Sequence, residues 1–392
     1  MRVRIRLFGA CLAVLIGLSG CAVNPVTGRQ ELSLISPQQE IMLGQQNYGP
    51  SQQAQGGPYE LDQALQNYVS EVGHSLARHS HQPELPYEFV VLNNSVPNAW
   101  AMPGGKIAIN RGLLTLLENE AELAAVLGHE IVHAAARHSA QQMSRGQLMG
   151  MGVQVLGALG QQGGYGQLAG SVAELGAGAW MARYSRGDEL ESDHYGMEYM
   201  VKAGYNPMGA VTLQEKFVAL SQGRQAGALD ALFASHPPSQ ERVNANRALA
   251  QQLGTSGTLN QQRYQQRIAR LKRTEAAYKA QDEAIEALNN KDPKAALAAL
   301  DKAVAIEPDE SHFWELRGHA WQMQNDPTKA EQAFTTAIRK NPNYFRHHLA
   351  RGLLRQQSGN RDGAVTDLQA SFQLLPTDMA AQQLQKLGVN VQ

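Results

Sequence analysis

His129 and His133 stand four residues apart, with Glu130 directly after the first of them, in the run His129-Glu130-Ile131-Val132-His133. On a helix, side chains at that spacing project from one face a turn apart. Both imidazoles can then reach one cation while the carboxylate between them points to the neighbouring coordination position. Zinc hydrolysis needs this arrangement: protein ligands on the ion, a water whose pKa falls from near 16 towards about 7, and a carboxylate to take its proton. A hydrolytic site has three protein ligands. A histidine six residues beyond the second cannot be the third, because that position is Ser139, and His138 comes one residue too early. A carboxylate on a second helix is the remaining option, and Asp188-Glu189-Leu190-Glu191-Ser192-Asp193 is the best candidate segment. Glu189 and Asp193 share a helix face, so one can bind the ion while the other accepts the N–H of a ligand histidine. Glu191 points elsewhere on that helix and is expected in solvent. His74, His79, His81, His138, His312, His319, His347 and His348 lack ligand spacing with a third partner and read as surface or packing residues. His194 faces about 100° away from Asp193 and is left out.

The elements that must position these groups follow from periodicity. In a chain of 392 residues, two or three domains are expected. With 43% hydrophobic and 18% charged residues it reads as an ordinary folded protein. Lys plus Arg, 34, nearly cancels Asp plus Glu, 35, so no nucleic-acid partner is expected. The two cysteines, Cys11 and Cys21, exclude a disulfide framework or a thiol nucleophile in the body of the chain. Leu61–His79 has helical spacing. Tyr87–Leu92, Asn98–Met102 and Lys106–Asn110 predict a small antiparallel sheet, with Pro103-Gly104-Gly105 as a turn. Glu118–Met143 predicts the helix that carries the histidines, and Asp188–Ala203 the helix that carries the carboxylates, closed by Gly204. Gln147–Trp180, rich in Gly and Met, reads as a lid over the cleft, with a buried helical hairpin as the other reading.

At the N-terminus, Arg2, Arg4 and Arg6 precede an apolar run that ends in Leu18-Ser19-Gly20-Cys21. This is a secretory signal, too short for a permanent span. Its ending resembles the lipobox of bacterial lipoproteins, which implies a mature chain beginning at lipidated Cys21. Ala22 after the cysteine suggests sorting to the outer membrane. From Cys21 to about Tyr59 the composition of Gln, Gly, Pro and Ser reads as a tether with one short helix near Pro37–Gln46.

His-Glu-x-x-His followed by Tyr184-Ser185-Arg186 and Glu189-x-Glu191-Ser192-Asp193 resembles the HtpX-type metallopeptidases of peptidase family 48, which are gluzincins. The likeness spans about residues 24–250. It includes Asn24-Pro25-Val26-Thr27-Gly28, Asn98–Gly112, and Ser235-His236-Pro237-Pro238 with Arg242; Ser192 stands where the family usually has Ala. The resemblance implies one Zn²⁺ per chain held by His129, His133 and Glu189, with Glu130 as general base and Asp193 behind a ligand. It also implies that His236, with Arg242, stabilises the oxyanion or occupies the open zinc position in a resting state. An extended substrate would lie along the edge strand at Asn98, Ala99, Trp100 and Ala101.

In the last third, Pro308, Pro342 and Pro376 recur every 34 residues, as do Ala284, Gly318 and Gly352, or Leu300, Phe334 and Leu368. This resembles the tetratricopeptide repeat, whose concave groove would recruit a partner or substrate. The expected fold class is therefore mainly α: an α+β zincin-like peptidase domain with a small antiparallel sheet, then an α-solenoid of tetratricopeptide repeats. The expected boundaries are a signal peptide at 1–20, a tether at 21–59, the peptidase domain at 60–250, a linker at 251–276 and repeats at 277–380. The three resemblances together imply a periplasmic zinc endopeptidase, anchored to the outer membrane of a Gram-negative bacterium. Its substrates would be misfolded or stalled envelope proteins, and its repeats would meet the outer-membrane assembly machinery. The alternative is a repeat-based chaperone or scaffold with a latent zinc site.

Overall fold

A computed structural model describes residues 21–146, 184–222 and 226–390; the expected signal peptide and the Gln147–Trp180 lid lie outside them. The chain divides into two compact units. One takes the chain up to Gly49, Ala64–Val91 and Val96–Gln266; the other takes Pro50–Gln63, Leu92–Ser95 and Arg267–Gln392. Among the described residues no helix is long and apolar enough to cross a membrane.

In the first unit the stretch expected as a tether is folded. Strands β1 (Cys21–Val23) and β2 (Gln30–Leu32) pair antiparallel around a turn with Gly28 at φ 72°. Helix α1 runs over Pro37–Ala54, much longer than the expected segment, and buries Glu40, Gly44 and Tyr48. Polar composition misled here because a few apolar residues, Val26, Ile35, Tyr48 and Tyr59, are buried and polar ones are hydrogen-bonded: Asn24 is buried, and its side-chain oxygen accepts from the backbone N–H of Val26 at 2.8 Å. Helix α2 (Gln63–Ala77) buries Leu65, Tyr68, Val69, Val72 and Leu76 along one face, as its periodicity predicts. Strands β3 (Glu88–Leu92), β4 (Ala99–Met102) and β5 (Lys106–Asn110) form a sheet in the order β3-β5-β4, which leaves β4 as an edge. Ala99 pairs with Ile109 and Met102 with Lys106, antiparallel.

Short α3 (Arg111–Leu116) leads into α4 (Glu120–Ala135), which is buried along its whole length. Its acidic first turn is satisfied. Glu120 accepts from Tyr68 Oη at 2.7 Å and from Arg263 at 3.0 Å, and Glu122 pairs with Lys216 at 3.0 Å. The continuous helix expected over 118–143 is broken. Arg137 adopts φ 64°, a left-handed conformation, and a new helical stretch begins at 138. Three N-terminal groups hold that break: the Arg137 guanidinium donates to Glu40 Oε1 at 2.6 Å, the Ile35 carbonyl at 2.6 Å and Ser33 Oγ at 3.2 Å.

Helix α5 (Arg186–Lys202) opens on a capping box between Ser185 and Asp188. It crosses α4 where Gly128 meets Gly196; a Cβ on Gly196 would lie 3.0 Å from the Gly128 carbonyl carbon. Helices α6 (Met208–Ser221), α7 (Ala226–Ser235) and α8 (Gln240–Leu253) complete the unit. Much of the expected linker is also folded: α9 (Gln261–Arg267) buries Tyr264, whose hydroxyl donates to the Leu114 carbonyl at 2.6 Å.

The second unit is a stack of helical pairs. Helices α10 (Ala269–Asn289) and α11 (Pro293–Ile306), α12 (Ser311–Met323) and α13 (Pro327–Lys340), and α14 (Phe345–Gln357) and α15 (Arg361–Leu374) pack pairwise, with α16 (Asp378–Lys386) at the end. The turn inside each pair repeats. Lys291, Asn325 and Gly359 take positive φ, and Asp292, Asp326 and Asn360 then cap the next helix by accepting from backbone N–H groups at 3.0, 3.0 and 3.1 Å. Ala296, Ala330 and Ala364 are fully buried, as are Leu300, Phe334 and Leu368.

Candidate metal centre

Helix α4 supplies His129, Glu130 and His133, α5 supplies Glu189 and Asp193, and the turn after α7 supplies His236. All six are buried. His129 Nε2 lies 3.0 Å from His133 Nε2 and 3.2 Å from His236 Nδ1. Glu189 Oε1 is 3.4 Å from His133 Nε2 and 3.0 Å from His236 Nδ1, while Oε2 is 3.5 Å from His129 Nε2. Ligands about 2.0–2.1 Å from a tetrahedral ion lie about 3.3 Å from one another. The cluster of His129, His133, Glu189 and His236 therefore has the dimensions of a coordination shell and can hold a metal ion. Three imidazoles and a carboxylate form a donor set suited to zinc among the divalent ions.

Glu130 stands beside the cluster. Its Oε1 is 3.5 Å from His236 Nε2, and its buried Oε2 has no hydrogen-bond partner among the described residues. Burial raises its carboxyl pKa above the ordinary value against the opposing charges of His236 and His129. The neighbouring carboxylates go the other way. Burial works against ionisation of Glu189, but His236 and His129 hold its pKa well below normal; burial likewise opposes Arg242 at Asp193, whose pKa is lowered. His129, although buried, is pushed up to about 10 by Glu189 and Asp193. Burial takes His133 well below its usual value.

The sequence-derived residues separate by place. Asp193 Oδ1 lies 2.9 Å from His129 Nδ1, the nitrogen that faces away from the cluster. Arg242 grips Asp193 with two donors at 2.7 Å each, lies 2.7 Å from Glu189 Oε2 and donates to the Pro237 carbonyl at 3.2 Å. Arg242 thus bridges the two carboxylates. Asn98 leads into edge strand β4, where Ala99, Trp100 and Ala101 are buried, and Trp100 meets Tyr48 edge-on at 6.0 Å. Tyr184 stacks on His133 with ring centroids 3.7 Å apart.

Two residues differ from their sequence reading. Glu191, expected in solvent, is largely buried and accepts from Asn24 Nδ2 at 3.1 Å. His138, set aside as surface or packing, is 2% exposed with Nδ1 2.9 Å from His133 Nδ1 and Nε2 3.3 Å from Glu191 Oε1. On an unbroken helix, five residues separate side chains by about 140°. The left-handed Arg137 brings His138 back, and nothing in the local spacing announces that break.

Residues 63–250 match the family described as Peptidase family M48. This stretch is similar to a peptidase family M48 domain. Beta-barrel assembly-enhancing protease of Yersinia pestis is 28% identical over 247 residues, which cover 61% of this chain and 50% of that protein. Metalloprotease YcaL of Escherichia coli (strain K12) is 34% identical over 159 residues, 40% of this chain and 60% of that one. The chain thus spans about half the length of the first of these relatives. Among solved structures, the first TPR of Spaghetti (RPAP3) covers 29% of this chain at 18% identity with a TM-score of 0.29. The repeat architecture rests on the helix pairs and caps described above.

Proposed function

We propose that the chain is a zinc metalloendopeptidase of the Gram-negative envelope, acting on misfolded or stalled envelope proteins. The convergence of His129, His133, Glu189 and His236 beside Glu130 Oε2, which has no partner among the described residues, carries this reading. A zinc ion bound there supplies a Lewis acid that polarises a carbonyl and acidifies water. His129, His133 and Glu189 would hold it, with Asp193 fixing the His129 tautomer and Arg242 fixing both carboxylates. Glu130 Oε2 is the acceptor for the proton of the attacking water and returns it to the leaving amine. His236 Nδ1 sits among the ligand atoms, which favours the resting-state role, in the open zinc position, over oxyanion binding. Edge strand β4, at Asn98–Ala101, would take an extended substrate through backbone hydrogen bonds. A cavity of about 40 Å³ beside His129 and Glu130, walled by Val126, Met197, Leu213 and Phe217 together with the polar Gln214 and Asn246, favours a small side chain next to the cut bond.

Lipidation of Cys21 and sorting to the outer membrane belong to the same proposal, as does recruitment of envelope partners by the repeats. The likeness to the beta-barrel assembly-enhancing protease supports the envelope setting. The deciding experiment combines metal analysis of the purified chain with degradation of an unfolded porin by wild type and Glu130→Gln. Proteolysis should fall by at least about 100-fold in the variant while bound zinc and folding persist. Full complementation of a deletion strain by Glu130→Gln would instead favour the scaffold reading.

A further inference from the structure

The two ligand histidines of α4 have different partners on their outer nitrogens. His129 Nδ1 meets the carboxylate of Asp193, whereas His133 Nδ1 meets another imidazole, His138 Nδ1, at 2.9 Å. A hydrogen bond between two imidazole nitrogens requires the proton on one of them. His133 Nε2 is the atom in the cluster, so as a ligand it carries no proton, and the ring's proton sits on Nδ1 and is donated to His138. His138 must then be protonated on Nε2, which donates to Glu191 Oε1 at 3.3 Å. Asn24 fixes the far end. Its side-chain oxygen accepts from the N–H groups of Val26 and Thr27 at 2.8 and 3.2 Å, so its amide nitrogen faces Glu191 at 3.1 Å and Glu31 at 3.3 Å. Every proton in the chain His133–His138–Glu191–Asn24 has one place.

We infer that His138, Glu191 and Asn24 form a positioning relay that sets the tautomer and orientation of His133, making the N-terminal hairpin part of the metal centre. The inference rests on the cluster holding a metal ion, as proposed above. A second observation supports it independently: Ser33, Ile35 and Glu40 hold the left-handed Arg137 that turns His138 onto His133. One N-terminal segment thus both bends the helix and supplies the end of the relay.

The test is zinc affinity of the full chain, measured by competition with a chromophoric chelator. His138→Leu removes acceptor and donor and should weaken zinc binding by about 10–100-fold. His138→Gln, whose amide oxygen can accept and whose nitrogen can donate, should restore most of that loss. Asn24→Ala, which touches no ligand, should weaken binding by a smaller factor. Equal affinity in His138→Leu and wild type overturns the relay, as does a His138→Gln as impaired as His138→Leu. Should His138→Leu fail to fold, ¹⁵N spectra of the zinc-loaded wild type decide: His133 protonated on Nδ1 and His138 on Nε2 support the relay, and the reverse tautomer of His138 overturns it. A wild type that takes up no zinc fails the metal reading itself, an outcome distinct from tight binding that is indifferent to His138.

Discussion

Arg242 is a cation enclosed with three carboxylates. It is 4% exposed, bonded twice to Asp193, 2.7 Å from Glu189 and held up in pKa by Asp193, Glu189 and Glu130 against its burial. Removing one member of a buried ion pair strands the other, at a cost of about 3–5 kcal/mol. Arg242→Met, which keeps the bulk, should lower stability by that amount in a denaturant titration run with chelator present. A change below about 1 kcal/mol would mean that the carboxylates find another counter-charge. Most of the side chains around this site share helix faces at four-residue spacing, which is why His129, His133, Glu189 and Asp193 stand out from residue types alone. His138 and Glu191 do not. Their partnership depends on one left-handed residue and on an asparagine more than a hundred positions away, and neither periodicity nor composition encodes such a contact.

Helices α4 and α5 bring the two halves of the site together only because their backbones nearly touch. A Cβ on Gly196 would sit 3.0 Å from Gly128 C and His129 N, and one on Gly128 would sit 3.1 Å from the Gly196 carbonyl oxygen. Alanine inside a helix is otherwise favoured over glycine by about 1 kcal/mol, so any loss must come from the crossing. Gly196→Ala should strain the crossing by about 1–3 kcal/mol, for a net loss of up to about 2 kcal/mol once the helix preference is subtracted. It should also weaken metal binding, since His129 and Asp193 lie on either side of the contact. Thermal unfolding and chelator competition on the same variant check both expectations; a stabilised protein would show that the helices yield freely. Helix faces in this unit were legible from hydrophobic spacing, as α2 shows. The folded state of residues 21–59 was not, because Asn24, Ser33 and Glu40 are held by polar bonds that a composition rich in Gln, Gly and Ser disguises as a linker.

Across the whole molecule, the repeat unit follows a 34-residue rule visible in sequence and kept by the turns at Lys291, Asn325 and Gly359. Its interior also holds charge. Glu315 is 4% exposed and meets His347 Nδ1 at 2.7 Å, Arg346 at 3.2 Å and His319 at 3.7 Å. Burial alone would raise its pKa, but the nearby His319, the hydrogen bond with His347 and the charge of Arg346 carry it well below 4.5. A carboxylate depressed in the folded state contributes stability that is complete above its unfolded pKa and is lost as pH falls through the folded value. Wild type should therefore lose stability below about pH 4.5 more steeply than Glu315→Gln, as read from thermal unfolding of the full chain across that range. Parallel acid limbs would show that Glu315 carries no such linkage. This network could not be anticipated from the repeat period, which marks small and apolar columns and says nothing of which polar residues meet beneath them.

Strand β1 begins at Cys21 and is already paired with β2, and Asn24 touches Glu191 only three residues on. With lipid on Cys21, as proposed, at most roughly 10 Å of extended backbone separates the attachment point from the outer end of the relay. Such an enzyme has no leash. Its cleft would work at one fixed height above the bilayer, so only chain segments emerging within that thin layer would come within its grasp, and proximity would select substrates before any side-chain pocket did.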